Sequence, residues 1–385
     1  MKINSKDLLD AVNAVSPACP SKSPLLIAQL IHIESVSSEI VVTATDLENN
    51  FSFRFLKSEI DEESFSVCVE PKLLIKALEG IDCVVDFNVN QKKKIVTLAY
   101  DNFFFTLPFL PGEDFPGRID EQNYYEFGIH FNVVKNLIED AIGFASTDTL
   151  KPSMYGVNFE LEDEKLTLVA TDGHRLCKTQ SVSVQRNEKD KKSFILEVNA
   201  AKKLKATTNS LSYVTVRVSN KWISIVGDKF TYNCRRQEAV FPNYRVIVEQ
   251  PRQNILLVNK KELLNKLKKI VLFSSDVNYL GKFSISRDAN LITKDFKMYI
   301  VAENSDLLSM GSTEVPILDV EGEHFPDEIG FNIKLFMSCL SFFDGNEVKL
   351  CFNGGNSSTA VMFCGVSDSD QDKFSVLMPI LLDKK

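Results

Sequence analysis

Apolar residues along this chain switch between two periods. Leu8, Leu9, Val12 and Val15 recur at helical spacing behind Ser5, an N-cap residue type, which predicts a helix over 5–15. Strand patterns follow at about 25–33, 39–46, 51–56 and 64–69. Pro71 opens a second helix, 71–79, with Leu73, Leu74, Ala77 and Leu78 on its apolar side and Gly80 as its stop. Alternating strands fill 82–107, broken by Asn90-Gln91-Lys92, and Leu110 to Pro116 closes the stretch.

The same order then recurs. A helix over 131–145 precedes strands near 156–161, 165–171 and 175–182, and the charged run 186–192 reads as a loop. Strand 193–198, helix 199–211 and strands 213–218, 222–227 and 230–238 lead to Phe241-Pro242-Asn243-Tyr244, an echo of Phe115-Pro116. A third round has helix 259–271, strands 281–287, 296–303 and 306–315, helix 332–343, and strands 346–353, 358–366 and 373–378. Short strings mark the repeat. Thr-Leu-Val-Ala-Thr-Asp-Gly-His-Arg-Leu at 167–176 has a reduced copy at 42–48 and a more degraded one at 299–304, aligned on Ala44, Ala170 and Ala302. The period of roughly 127 residues is too long for solenoid turns and implies whole domains. The expected architecture is α+β: three repeated domains, 1–126, 127–252 and 253–385, each an antiparallel sheet with two helices on one face.

Composition narrows the functional classes. With 385 residues, 44% hydrophobic and 25% charged, the chain reads as an ordinary globular protein, with no run long enough to span a membrane. Its first residues lack a signal-peptide core. Eight cysteines without any Cys-x-x-Cys point to buried free thiols in a reducing cytoplasm rather than to structural zinc. The net charge is −8, but the six expected helices together carry +7 and the remainder −15. Lys202, Lys203, Lys205, Lys260, Lys261, Lys266, Lys268 and Lys269 concentrate that bias. Solvated helix faces explain any one helix. Sharing one face, they would suit a polyanion held through its phosphates without sequence readout.

Catalytic motifs are sparse. Asp172 and His174 could form a hydrolytic pair, but an Asp at a strand-to-turn junction ordinarily caps the turn. No phosphate-binding glycine loop, Gly-x-Ser-x-Gly or paired-histidine metal motif occurs. The terminal run Val376-Leu377-Met378-Pro379-Ile380-Leu381-Leu382 is apolar enough to cover or offer a groove, with Met and Leu as adaptable contacts. Asn102-Phe103-Phe104-Phe105-Thr106-Leu107 reads as a buried strand, or as an edge strand that another subunit must pair.

Ala170-Thr171-Asp172-Gly173-His174-Arg175-Leu176, Phe241-Pro242-Asn243-Tyr244-Arg245 and the terminal Met378-Pro379, within a three-fold α+β repeat, resemble the β subunit of bacterial DNA polymerase III, the sliding-clamp family. The resemblance covers the whole chain. It implies a cytoplasmic, cofactor-free and metal-free processivity factor, not an enzyme: a head-to-tail homodimeric ring around duplex DNA, with helices facing the DNA and sheets outside. It implies DNA contacts at Lys22, Lys151, Lys202, Lys203, Lys205, Lys266, Lys268 and Lys269. The family's pocket between its second and third domains takes short hydrophobic peptides from the polymerase, the clamp loader and repair proteins. Matching positions are Met154, Thr171, Gly173, His174, Arg175, Leu176, Pro242, Ile247, Val376, Met378, Pro379 and Ile380. Leu176, Ile247, Val376 and Met378 would be apolar walls, and Arg175 and His174 would orient the peptide backbone. Phe105 and Leu107 would meet Leu272 and Phe273 across the subunit interface. The sequence departs from the family pattern at Val246 and Leu381, where a basic residue is usual, and in the extra residues 382–385. The competing classes are a monomeric peptide-binding scaffold and a hydrolase using Asp172 and His174.

Overall fold

A computed structural model of the protein describes residues 1–58, 64–117, 123–206, 213–287 and 296–382, the side chain of Arg287 excepted. The expectations for 207–211 and 383–385 fall outside these residues.

Helix Ser5–Val15 buries Leu8, Ala11, Val12 and Val15, as its spacing requires. Its cap differs from the expectation. Asn4, not Ser5, accepts the orphan N–H groups of Lys6 and Asp7, at 2.9 and 3.2 Å. Ser5 is buried and its hydroxyl donates to Ile81 O and accepts from Cys83 N, both at 3.1 Å. Asparagine caps recur: Asn259 accepts from Glu262 N ahead of helix Lys260–Ile270, and Asn332 from Leu335 N ahead of helix Ile333–Ser341, each at 3.0 Å. The remaining long helices are Pro71–Leu78, Phe131–Ile142 and Val198–Ala206.

The chain groups into two compact units. The first takes Met1–Ile138, Ser183–Asp190 and Phe194–Glu238. Its framework is one antiparallel ladder of twelve strands. The ladder starts at Lys2–Asn4 and runs through Val84–Asn90, Ile95–Tyr100, Phe103–Pro111, Ser66–Val69, Ile31–Val36, Glu39–Thr45 and Asn49–Leu56. It continues through Phe230–Arg235, Trp222–Val226 and Tyr213–Val218 to Tyr125–His130. Strands from the first two sequence repeats thus share one sheet, joined where Phe51 faces Tyr232. Tyr232 is fully buried there, its hydroxyl donating to Asn49 Oδ1 at 2.6 Å.

The second unit takes Glu139–Val182, Lys191–Ser193 and Ala239–Lys385. Here Gly156–Glu162, Lys165–Thr171 and Arg175–Lys178 pair in order with Phe374–Leu377, Val361–Gly365, Glu347–Phe352, Asn254–Asn259 and Asp319–Glu321. A separate four-stranded sheet orders Ser309–Pro316, Phe296–Asn304, Leu280–Arg287 and Ile329–Asn332.

The repeated strings prove to be one turn built more than once. Thr171 Oγ1 donates to Arg175 O at 2.7 Å and accepts from Gly173 N at 3.1 Å, while Asp172 Oδ1 accepts from the N–H groups of His174 and Arg175, both at 2.9 Å. In the earlier copy Thr45 Oγ1 donates to Asn49 O at 2.8 Å and accepts from Leu47 N at 3.0 Å, and Asp46 Oδ1 accepts from Glu48 N and Asn49 N. Asn304, ending the third copy, accepts from Asp306 N and Leu307 N. The third residue of the Thr-Asp turns needs φ near +80 to +90°, met by Leu47 under strain and by Gly173 without it.

Three expectations shift. The strand expected over 25–33 is a 3-10 turn, Leu26–Gln29, followed by strand Ile31–Val36. The strand expected over 175–182 stops at Lys178, because the Thr179 hydroxyl takes the Leu168 N–H that a ladder carbonyl would accept. Residues 245–248 form a short helix that the apolar pattern did not announce.

Candidate functional site

A cavity of about 140 Å³ opens on the second unit. Three segments build it. The turn at 171–174 and strand Arg175–Lys178 form one side, and residues 242–248 with their short helix a second. The last strand, Phe374–Leu377, and Met378 complete it. Register fixes the contacts: Leu176 lies opposite Val376 and Arg175 opposite Leu377, and Met378 N donates to His174 O at 2.8 Å.

The walls are apolar because they belong to a core cluster. Val169, Leu176, Tyr244, Ala360 and Val376 are buried together, and Phe241, Val248, Met362 and Phe374 pack against them. At the mouth, Met378 and Ile247 keep 38% and 37% of their surface exposed, so apolar area remains for a ligand to cover. Tyr244 donates its hydroxyl to Glu160 Oε2 at 3.0 Å, and burial, with that carboxylate beside it, raises its pKa.

Of the residues expected here, Met154, Thr171, Gly173, His174, Arg175, Leu176, Pro242, Ile247, Val376 and Met378 line the cavity. Pro379 and Ile380 do not. Ile380 N instead donates to Gly330 O at 2.8 Å, and a Cβ on Gly330 would stand 2.7 Å from Ile380 O, so the chain leaves the pocket at Pro379. Asn243, Tyr244 and Val248 line it as well and were not expected, although Phe-Pro-Asn-Tyr marks the end of a unit in the sequence.

Arg175 lines the cavity while its guanidinium is also bound within the fold. Its guanidinium faces its own scaffold: Nε donates to Asp172 Oδ2 at 2.9 Å, Nη2 to Gly143 O at 2.6 Å and Nη1 to Ser338 Oγ. It also lies 4.9 Å from the centre of the Phe144 ring. Asp172 is equally committed, holding two backbone N–H groups and Arg175. Its carboxylate takes the backbone N–H of His174 in the turn, and the His174 side chain is exposed, which removes the geometry a hydrolytic pair requires.

Among the expected DNA contacts, Lys22, Lys151, Lys202, Lys205, Lys268 and Lys269 are exposed. Lys203 is half buried and ion-paired with Asp46. Lys266 pairs with Glu262 at 2.7 Å and donates to Glu314 O at 2.6 Å. These two therefore also hold their own structure.

Of the expected interface residues, Leu272 is 76% exposed and Phe273 rests against Gly311, where a Cβ would clash with its ring. Phe105 is half buried, and Leu107 is only 6% exposed and belongs to the core of its unit. Alternation along Phe103–Pro111 places Phe104, 69% exposed, on the outer side instead. Among the described residues, 103–108 pair on one side only, with Ile95–Tyr100, and Ser309–Pro316 pairs only with Phe296–Asn304. Both strands thus present an open ladder edge.

Comparison with known proteins identifies the family. Residues 1–120 match the family model of the DNA polymerase III β subunit, N-terminal domain, and residues 128–243 match that of its central domain. The chain belongs to the DNA polymerase III β-subunit family. It is 23% identical over 384 residues to the β sliding clamp of Haemophilus influenzae and 22% identical over 380 residues to that of Vibrio cholerae, covering 99% of each chain. Its fold matches the Pseudomonas aeruginosa sliding clamp bound to griselimycin at a TM-score of 0.87, with 19% identity and 99% of both chains covered. The DNA polymerase III β subunit of Thermotoga maritima matches at 0.85 with 22% identity, again over 99% of both chains. Among the described residues, no group of three or more His, Cys, Asp or Glu could hold a metal ion, and no helix is long and apolar enough to cross a membrane.

Proposed function

We propose that this chain is a DNA sliding clamp, acting in the cytoplasm without chemistry of its own. Two copies pair head to tail into a ring around duplex DNA, and the pocket at Leu176, Ile247, Val376 and Met378 receives short hydrophobic peptides of the polymerase, the clamp loader and repair proteins. The observation that carries this reading is the pair of open strand edges, 103–108 and Ser309–Pro316, each beside exposed apolar side chains. An unpaired edge flanked by Phe104, or by Leu272 and Phe273, invites a partner strand. Head-to-tail use of two different edges closes a ring if the rotation closes. Each subunit would consist of domains 1–126, 127–252 and 253–385, with the helical lysines toward the DNA phosphates. Contacts of that kind depend on charge and not on base sequence, so they allow sliding. Val246 and Leu381, 64% and 76% exposed, put apolar surface where the family usually has a basic residue, so partner peptides here should carry fewer acidic residues.

The test is the solution mass by light scattering from micromolar to nanomolar protein, followed by retention on nicked circular DNA. A mass twice that of the 43.4 kDa chain, and retention lost when the circle is cut, would support the ring. A monomer that binds peptides but never stays on circular DNA would favour the scaffold reading.

A further inference from the structure

In the second unit, strands Glu347–Phe352 and Val361–Gly365 run antiparallel with Cys351 opposite Met362 and Lys349 opposite Cys364. Side-chain alternation makes Cys351 and Cys364 diagonal neighbours on one face. Each thiol is the largest influence on the other's proton affinity. Arg252 acts electrostatically on both thiols. It donates Nη1 to Val248 O at 2.8 Å and Gln250 O at 3.0 Å, and Nη2 to Ile247 O at 2.7 Å. Among the described residues its Nε is buried without an acceptor, and the ionisable groups acting on it are the two thiols rather than a carboxylate. A guanidinium without a counter-ion beside a thiol favours the thiolate.

We propose that Cys364 and Cys351 form a peroxide-reactive dithiol, with Cys364 as the attacking thiolate, Cys351 as the resolving thiol and Arg252 as the cation that holds the thiolate. The Cys364 sulfur attacks one oxygen of hydrogen peroxide, the O–O bond breaks, and the departing hydroxide takes up a proton and leaves as water. The Cys351 sulfur then attacks the Cys364 sulfenic acid, the S–S bond forms, and the S–O bond breaks with loss of a second water. Two thiols and one peroxide thus become one disulfide and two waters, and a dithiol reductant restores the start. Cys364 stands apart from the thiols that burial raises. Hydrogen bonding from Cys351 lowers the Cys364 pKa despite its burial, aided by the positive charges of Arg252 and Lys349. Burial raises Cys19 to about 11 and Cys68, Cys234 and Cys339 to about 12. Cys364 is also partly exposed, so peroxide can reach it, whereas Cys351 is buried.

Both cysteines fall on one tryptic peptide, Leu350–Lys373, so mass spectrometry reads the reaction directly. After stoichiometric peroxide, the peptide from the intact protein should lose the mass of two hydrogens and regain it with dithiothreitol. In Cys351→Ser, dimedone should capture Cys364 as the sulfenic acid. In Cys364→Ser, Cys351 should stay reduced. Arg252→Gln should slow alkylation of Cys364 about tenfold, as a one-unit rise in thiol pKa would. Oxidation of Cys19 or Cys83 while this peptide keeps both thiols would overturn the proposal. So would dimedone capture of Cys351 in Cys364→Ser at the rate seen for Cys364.

Discussion

Asp172 holds Arg175 twice, through Oδ1 to its backbone N–H and through Oδ2 to its guanidinium Nε, each at 2.9 Å. One carboxylate thus sets both the turn and the direction of the side chain that braces it. Asp172→Ala removes these contacts and the bond to His174 N, and should cost about 1–2 kcal/mol, as loss of a capping carboxylate does. Binding of a hydrophobic peptide at the pocket should weaken with it. Asp172→Asn keeps an acceptor for the two backbone N–H groups and should recover most of the stability. Thermal melts and fluorescence anisotropy would check both, and equal melting of Ala and Asn variants would refute the turn-cap role.

Gly173 sits at φ +90°, while a Cβ there would meet nothing closer than Met154 Sδ at 3.8 Å. The cost of Gly173→Ala is therefore backbone strain alone, about 1–2 kcal/mol. The melting temperature should fall modestly and peptide affinity with it. An unchanged melt would show that the turn relaxes freely.

Phe104, 69% exposed, and Leu107, 6% exposed, let the proposed interface be tested apart from the core. Leu107→Ala empties a buried position and should lower monomer stability by about 2–4 kcal/mol. Phe104→Ala should leave the melt of the monomer unchanged and shift the dimer to monomer at higher protein concentration. Sedimentation velocity with parallel melts distinguishes the two. Dimer loss in Leu107→Ala without a fall in stability would reverse the assignment.

The contrast between Phe104 and Leu107 also shows what sequence could convey. Strand existence and the apolar period were readable, because alternation and helical spacing are local: strands Lys165–Thr171 and Tyr213–Val218 fall at their expected bounds. Which face of Phe103–Pro111 turns inward depends on strands tens of residues away, and six apolar residues in nearly unbroken order leave the face undecided. Strand Lys2–Asn4 was invisible for the same reason, being three residues held by a pairing with Val84–Asp86. The pocket was legible in its turn and last strand, whose motifs are continuous. Pro242 and Ile247 were expected there only through the family resemblance, and Tyr244 and Val248 of the same segment were not, since the chain's own pattern does not show that folding brings 241–248 against Val376. The commitment of Arg175 to Gly143 and Ser338 likewise rests on contacts far apart in the chain.

The helical lysines should divide by their partners. Lys202, Lys268 and Lys269 are exposed, and replacing any one by Ala should weaken DNA retention equally across sequences and reduce the slope of log affinity against log salt by about one. Lys203→Ala breaks the ion pair with Asp46, whose carboxylate caps the Thr45-Asp46 turn, and should lower stability as well. Titrating salt on a fluorescent duplex provides the slopes. A slope unchanged in Lys202→Ala and Lys268→Ala alike would remove both from the DNA face.

Lys373 and Asp370 should govern how stability responds to pH. Asp370 is 1% exposed, and burial pushes its pKa up. Hydrogen bonds from Ser367 Oγ at 2.7 Å and from the N–H groups of Asp344 and Gly345 at 2.8 Å outweigh that, with the Lys373 charge, and hold it below the ordinary carboxylate range. Burial pushes Lys373 down, but Asp140 and Asp344, each 3.1 Å from its Nζ, more than compensate and raise it. The signs follow from linkage. A lowered Asp370 stabilises the fold fully above its unfolded pKa of about 3.9, and that stability is lost as pH falls through the lower folded value. A raised Lys373 stabilises fully below about pH 10.4, and that stability is lost as pH rises through the higher folded value. The melting temperature should therefore fall on both flanks. Asp140, raised by burial, works against the acid arm, since its protonation between the unfolded and folded values favours the fold. Asp370→Asn should lower the melt at neutral pH and flatten the acid arm, while Lys373→Met should cost about 3 kcal/mol at neutral pH by leaving Asp370 buried without its cation. Melts across pH by circular dichroism would decide it, and an acid arm as steep in Asp370→Asn as in the natural protein would sink the assignment.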